Sequence, residues 1–175
     1  MDERTVSSTR VFEGRLLHVR VDEVTMASGR AATREIVEHP GAVAILAWNG
    51  ERLAVVRQWR QAARQGTMEL PAGTRDPGED PRTTAERELA EECGVAAGTW
   101  EEGPAFWTAP GFCTELLTLW FATDLREMHV AGPDDEALEA TWITLDEALA
   151  AVGEGTINDA KSLVGIYWLA RRLAQ

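Results

Sequence analysis

The sequence has little cysteine, a single lysine and no long apolar run. Its two cysteines, Cys93 and Cys113, do not form a CxxC pair, which argues against a disulfide framework and against a structural zinc site. No run of 18 apolar residues occurs, and the first residues lack the apolar stretch of a secretion signal. We therefore expect a soluble, cytoplasmic protein with no membrane partner.

Positive charge is scarce as well. Acidic residues outnumber basic residues by 29 to 17, which gives a net charge of −12. A general nucleic-acid binder would carry the opposite field, so we predict no nucleic-acid partner. All basic residues except Lys161 are arginines, whose planar guanidinium suits phosphate, although a GC-rich coding bias gives the same skew. A small phosphorylated ligand is compatible with this composition.

The length of 175 residues and the content of 45% hydrophobic and 26% charged residues fit one globular domain with an additional arm. Residues 1–40 have the pattern of an extended, partly alternating β arm. Residues 41–175 hold the remaining strand and helix signals. We divide the chain into these two parts.

Strand and helix signals mix in an order that predicts an α+β fold. The apolar run Gly41–Ala47 predicts a buried strand, and Asn49-Gly50 predicts a tight hairpin after it. Asp80, Pro81 and Gly94 mark the start and the end of a helix. Further predicted elements are strands at 116–121 and 140–143, a short helix opened by a Thr144–Glu147 capping box, and a last helix with Leu163, Ile166, Tyr167 and Ala170 on its apolar face.

The helix that begins after Asp80 carries three carboxylates on one face. Glu88, Glu91 and Glu92 have the spacing i, i+3 and i+4, and like charges at this spacing destabilise a helix by about 0.2–0.5 kcal/mol per pair. A divalent cation such as Mg²⁺, which prefers oxygen ligands, relieves this repulsion. An ordinary solvated acidic helix remains the alternative from spacing alone.

The whole segment resembles the signature of Nudix hydrolases. Gly73 is followed after five residues by Glu79, and after seven more by the run Arg87-Glu88-Leu89-Ala90-Glu91-Glu92-Cys93-Gly94-Val95. This resemblance implies a Nudix fold, in which a mixed β-sheet lies between helices and a loop-helix-loop presents glutamates to Mg²⁺ or Mn²⁺. It also implies that Glu88, Glu91, Glu92 and the Ala72 carbonyl bind the metal and that Arg87 orients the carboxylates.

The flanking segments resemble the ADP-ribose pyrophosphatase subgroup. They are Arg34–Gly41, Gln58–Arg60, Glu69–Gly73, Ala109–Glu115 and Asn158–Ser162. The resemblance implies a nucleoside diphosphate sugar as the substrate, namely ADP-ribose or a related ADP-sugar, with ADP-ribose hydrolysed at its pyrophosphate bond to AMP and ribose 5-phosphate. It implies substrate contacts by Arg60, Arg34, Glu69, Gly111 and Phe112. For the two arginines, a surface ion pair is the competing interpretation.

The subgroup takes its general base from a loop late in the chain. The corresponding loop here is Ala131–Glu136, and we predict Glu136 as the base, with Asp134 and Asp135 as alternatives. A solvated acidic turn is the competing interpretation of this loop.

The resemblance further implies a homodimer in which the N-terminal strands exchange. Two other functions stay open: hydrolysis of another nucleotide derivative such as a GDP-sugar, and nucleotide sensing without turnover.

Overall fold

The computed structural model of this chain describes residues 2–128, 130 and 138–174, which fall into two units. One unit holds the residues up to Gly41 and the segment Trp107–Leu116, and the other holds the rest. The strands are β1 (Glu3–Glu13), β2 (His18–Met26), β3 (Ala31–Glu38), β4 (Ala42–Ala47), β5 (Arg52–Arg60), β6 (Gln65–Glu69), β7 (Ala72–Thr74), β8 (Val95–Trp107), β9 (Leu116–Glu127) and β10 (Glu139–Thr144). The helices are α1 (Pro81–Cys93), α2 (Leu145–Gly153) and α3 (Ala160–Leu173). In the described ranges, no helix is both long and apolar enough to cross a membrane.

The first unit is a three-stranded antiparallel sheet in the order β1-β2-β3. Every residue of the edge strand β1 is exposed, including Val6, Val11 and Phe12. The segment 107–116 joins the other edge, because the Val37 N–H donates to the Phe112 carbonyl at 2.7 Å and the Thr114 N–H donates to the Val37 carbonyl at 2.9 Å. The unit thus combines the arm with a distant loop.

The second unit contains two sheets. The first is mixed, with the order β7-β4-β9-β8, in which β4 runs parallel to β9 and antiparallel to β7. The second is antiparallel, with the order β10-β5-β6. The sequence did not indicate β8, whose glycines and glutamates have low strand propensity, so its pairing in the sheet decides its conformation.

The fully buried strand β4 separates two apolar cores. Ala44 and Leu46 pack in the core that contains Ile166 of α3, while Val43 and Ile45 pack in the core that contains Leu89 of α1. Successive side chains of a strand point to opposite faces, so one helix covers each face of the sheet. The predicted mixed sheet between helices is confirmed.

The predicted caps of α1 and α2 are confirmed. The Asp80 side chain accepts from the Arg82 N–H at 2.9 Å, and Pro81 opens α1. Gly94 closes the helix in the left-handed conformation, with a φ of 65° that favours glycine. Thr144 and Glu147 form the reciprocal capping box of α2.

Two expectations are corrected. The turn at Asn49-Gly50 is tight as predicted, with an antiparallel Trp48–Leu53 bridge and a 3.1 Å hydrogen bond from the Asn49 N–H to the Arg52 carbonyl, but β4 and β5 belong to different sheets, so the turn links two sheets and does not pair these strands. On α3, Tyr167 is 58% exposed, and the buried side of the helix is formed by Ser162, Gly165, Ile166 and Leu169. The small residues Ser162 and Gly165 let this side of α3 approach the sheet closely. A prediction based on the spacing of apolar residues does not detect them.

Candidate functional site

Helix α1 sets its acidic face against strand β7. Glu92 accepts the Ala72 N–H through Oε2 at 3.0 Å. Glu88 lies directly over Gly73, where an added Cβ would be 1.9 Å from Glu88 Cδ and Oε1. Glycine is therefore required at position 73 because the Glu88 carboxylate occupies the space of a side chain. Ala85 and Leu89, buried on the adjoining side of the helix, fix this orientation of the helix.

Arg87 holds the acidic residues in one network. Its Nη1 donates to Glu88 Oε1 at 2.6 Å and to Glu91 Oε2 at 3.2 Å, and its Nε and Nη2 donate to the two oxygens of Glu79 at 3.3 and 3.2 Å. The hydrogen bond to Glu79 is the main cause that raises the pKa of Arg87 above its ordinary value. The contacts are those of the ion pair that the sequence predicted for Arg87.

Glu79 ties the loop before α1 to the helix. The hydrogen bond from Arg87 is the main cause that lowers the pKa of Glu79 to about 2, and the Thr84 hydroxyl and the Asp76 N–H add to this effect. The motif places Glu79 eight residues before Arg87, but the sequence alone did not indicate a role for Glu79. The structure gives it one: it anchors the arginine that binds Glu88 and Glu91.

The donor set suits a hard divalent cation. Three carboxylates from one helix, beside backbone that carries no side chain at Gly73, match the few carboxylate ligands that Mg²⁺ takes while it keeps several waters. Within residues 2–128, 130 and 138–174, no three acidic, His or Cys side chains already form a metal-binding group. In the structure, Arg87 donates to Glu88 and Glu91, and the Ala72 N–H donates to Glu92.

A second cluster surrounds Glu69, which ends β6 and is 2% exposed. Arg60 donates to it twice, from Nε at 2.9 Å and from Nη2 at 2.6 Å. The Thr67 hydroxyl donates at 2.6 Å, and the Lys161 ammonium donates as well. Burial raises the pKa of Glu69, but the Arg60 hydrogen bond and the Lys161 charge outweigh it and lower the pKa to about 2. The two predicted substrate residues Arg60 and Glu69 are therefore partners of each other.

The cluster adjoins the carboxylate face of α1. Besides the hydrogen bond to Glu69, the negative charges of Glu92 and Asp159 raise the pKa of Arg60. The sequence did not select Lys161 as a site residue, although it stands in the segment 158–162 that resembles the subgroup. Its partner Glu69 lies 92 positions away, so no local pattern connects them.

The remaining substrate candidates lie together in the first unit. Arg34, Gly111 and Phe112 line a cavity of about 340 Å³ with neighbours from β1, β2 and the 110–114 loop. Arg34 donates to Glu3 from Nε at 2.9 Å and also from Nη2. It therefore forms a surface ion pair, which was the alternative to a substrate contact in the sequence analysis. Glu136, Asp134 and Asp135 lie outside the described residues.

Comparison with known proteins agrees with this geometry. Residues 37–163 match the NUDIX domain model, and residues 3–37 match the nucleoside diphosphate sugar hydrolase N-terminal domain. The chain is 39% identical to the methanol dehydrogenase activator of Bacillus methanolicus, over 96% of this chain and 92% of that protein. It is 36% identical to the ADP-ribose pyrophosphatase of Bacillus subtilis strain 168, over 97% and 93%. A crystal structure of an ADP compounds hydrolase superposes with a TM-score of 0.88 at 21% identity, covering 99% of this chain and 95% of that chain.

Proposed function

The chain belongs to the Nudix hydrolase family, and from this premise we propose that it hydrolyses the pyrophosphate bond of ADP-ribose or a related ADP-sugar. The products from ADP-ribose are AMP and ribose 5-phosphate, and a related ADP-sugar would give AMP and its own sugar phosphate. The observation that carries the proposal is the acidic face of α1, which Arg87 and Gly73 hold against β7 beside the Arg60–Glu69 pair. The match to the N-terminal domain of nucleoside diphosphate sugar hydrolases and the similarity to an ADP-ribose pyrophosphatase support this substrate class.

Nudix hydrolases generally use a divalent metal ion, and we propose Mg²⁺, with Mn²⁺ as a substitute. Glu88, Glu91, Glu92 and the Ala72 carbonyl would hold it. When bound, such an ion neutralises the negative charge of the pyrophosphate oxygens. Gly73 leaves the Glu88 carboxylate room beside β7, and Arg87 fixes the orientations of Glu88 and Glu91.

The remaining roles belong to the protein's other side chains. Glu136 accepts the proton of the water that attacks phosphorus, with Asp134 and Asp135 as the alternative bases. The guanidinium of Arg60 binds the phosphate or the terminal ribose, since its planar fork suits oxygen pairs. Arg34, Gly111 and Phe112 are the further substrate contacts in this proposal, and Arg34 must leave Glu3 to act in this way.

Product analysis by chromatography tests the substrate. The panel is ADP-ribose, ADP-glucose, GDP-mannose, NADH and diadenosine polyphosphates, each with Mg²⁺ and with EDTA. AMP and ribose 5-phosphate formed fastest from ADP-ribose, and not in EDTA, is the expected result. If another compound of the panel is cleaved faster, that compound replaces ADP-ribose as the proposed substrate. If none of the compounds is cleaved, the result supports nucleotide sensing without turnover.

A variant tests the metal ligands. Glu92→Gln removes a carboxylate but keeps the shape of the side chain, so metal-dependent turnover should be lost while the circular dichroism spectrum and the melting temperature stay close to wild type. Turnover at the wild-type rate would show that Glu92 is not a required ligand.

We also propose a homodimer that associates through the N-terminal arms. The completely exposed β1, with its apolar Val6, Val11 and Phe12, supports this assembly, because an unpaired edge strand with apolar side chains is a ready pairing surface. Sedimentation of a single 19.2 kDa species at micromolar concentration would contradict it. A cytoplasmic location without nucleic-acid or membrane partners also remains a prediction from the sequence.

A further inference from the structure

We propose that Lys161 is a positioning residue for substrate binding, which fixes the Arg60 guanidinium by holding the Glu69 carboxylate between them. Lys161 itself does not touch the substrate in this scheme. The inference rests on the proposed function for the identity of the substrate, but the contacts that carry it are properties of the protein alone.

Lys161 is held on both sides. It lies in the first turn of α3, its side chain is 12% exposed, and Nζ donates to Glu69 and to Asp159 Oδ1, the latter at 2.8 Å. Lysine side chains are usually solvated and lose rotamer entropy when they are fixed. The chain's single lysine is thus immobilised between two carboxylates at the edge of the candidate site.

Glu69 transmits this constraint to Arg60. The buried carboxylate is shared, because Lys161 and Arg60 Nη2 both donate to Oε2 while Arg60 Nε and Thr67 donate to Oε1. A guanidinium bound through Nε and Nη2 is fixed in both position and plane. Nη1 of Arg60 makes no hydrogen bond to the residues that the structure describes, so this edge is available to an oxygen of the substrate.

The first turn of α3 and the acidic face of α1 hold the same short segment. The Leu70 N–H donates to the Ser162 hydroxyl at 2.8 Å, and the Ala72 N–H donates to Glu92 at 3.0 Å. Because Glu69 precedes this segment directly, a displacement of its carboxylate moves Arg60 relative to the carboxylates of α1. Lys161 therefore controls substrate binding through Arg60, and its loss should raise KM more than it lowers kcat.

A double-mutant cycle tests this route. Lys161→Met keeps the length of the side chain and removes the charge, and we expect KM for ADP-ribose to rise about ten- to a hundredfold with kcat within about threefold of wild type. Lys161→Arg should recover most of the loss. In an Arg60→Gln background, Lys161→Met should change KM by less than about twofold, since the residue through which it acts is absent.

The controls separate positioning from stability. Arg172→Met removes a cation from the same helix, where Arg172 binds exposed Glu101, and should leave KM unchanged. An equal rise of KM after Lys161→Met in both backgrounds would overturn the proposal. So would a loss confined to kcat. The same cycle is measured as the Kd of ADP-ribose in EDTA by calorimetry, where turnover is stopped.

A single lysine also gives a readout that does not depend on activity. In protein labelled with ¹⁵N-lysine, the ammonium group of Lys161 is the one lysine signal, and Glu69→Gln should shift it. An unshifted signal would show that the Lys161–Glu69 contact is absent and would overturn the proposal. If the signal shifts but the protein does not hydrolyse ADP-ribose, the proposed substrate is refuted while the Lys161–Glu69 contact is supported. The double-mutant cycle is then measured on the nucleotide that the substrate panel identifies.

Discussion

Gly73→Ala is the sharpest perturbation of the candidate metal site, because it changes a ligand's position without changing its chemistry. The added Cβ would lie 1.9 Å from Glu88 Cδ and Oε1 and 2.5 Å from Cγ. Carbon atoms in contact are normally about 3.5–4.0 Å apart, so the carboxylate must move by about 1.5–2 Å. Such a move also breaks the 2.6 Å hydrogen bond from Arg87 to Glu88.

The expected loss follows from this displacement. A misplacement of about 1 Å in an active site can cost about a hundredfold in rate, so kcat/KM with Mg²⁺ should fall at least about a hundredfold. Binding of Mn²⁺, followed by the electron paramagnetic resonance signal of the free ion, should weaken about ten- to a hundredfold. The free energy of unfolding should fall by no more than about 2 kcal/mol, because the atoms that must move end a flexible side chain.

Two variants complete the experiment. Gly153→Ala is the matched control, since a Cβ there meets no atom within 4 Å and the residue ends α2, so its activity should equal that of wild type. Glu88→Gln should reproduce the loss caused by Gly73→Ala. Wild-type metal affinity and turnover in Gly73→Ala would refute the reasoning, because the position of Glu88 would then not matter.

Three further outcomes are expected. Arg87→Lys keeps the charge but not the planar fork that joins Glu79 to Glu88 and Glu91, so kcat/KM should fall about ten- to a hundredfold, measured with saturating Mg²⁺ to separate it from metal loss. Because the pKa of Glu69 is lowered to about 2, its ionised carboxylate stabilises the fold by about 3 kcal/mol above pH 4.5, and this contribution is lost as the pH falls toward 2. In urea unfolding, the difference in the free energy of unfolding between wild type and Glu69→Gln should therefore shrink to about half at pH 3. An unchanged difference would mean that the carboxyl is not held by its cations. Phe12→Asp, on the exposed edge strand, should halve the mass in sedimentation, whereas Ser8→Asp should not.

Local signals predicted the elements whose ends are set by neighbouring residues. The Asp80 cap, Pro81 and the left-handed Gly94 determine α1 within a few residues of sequence, and the acidic spacing places three carboxylates on one face. The same holds for the Thr144–Glu147 box. These features depend on bonds within one or two turns, which a single sequence displays.

The parts that escaped prediction depend on distant partners. Glu69 and Lys161 meet across 92 positions, and neither has a local pattern that indicates a buried ion pair. The buried side of α3 depends on Gly165, where a Cβ would come within 2.4 Å of Leu70 Cδ1, so close approach and not apolar character selects that side. The strand β8 also depends on distant partners, because its own composition does not favour a strand and its pairing in the sheet determines its conformation.

The parallel pairing of β4 with β9 has a consequence for how the enzyme is made. Ala42 lies opposite Leu117, and the pairing continues to Ala47 opposite Ala122. A ribosome adding about 5–20 residues per second finishes α1 several seconds before β9 is complete outside the exit tunnel. During that interval the apolar side of α1 lacks its finished sheet, and contacts so distant in sequence form slowly. The α1 carboxylates are therefore synthesised together with their partners Ala72 and Glu79, but the sheet against which Leu89 of α1 packs is complete only after β9 has emerged and paired with β4.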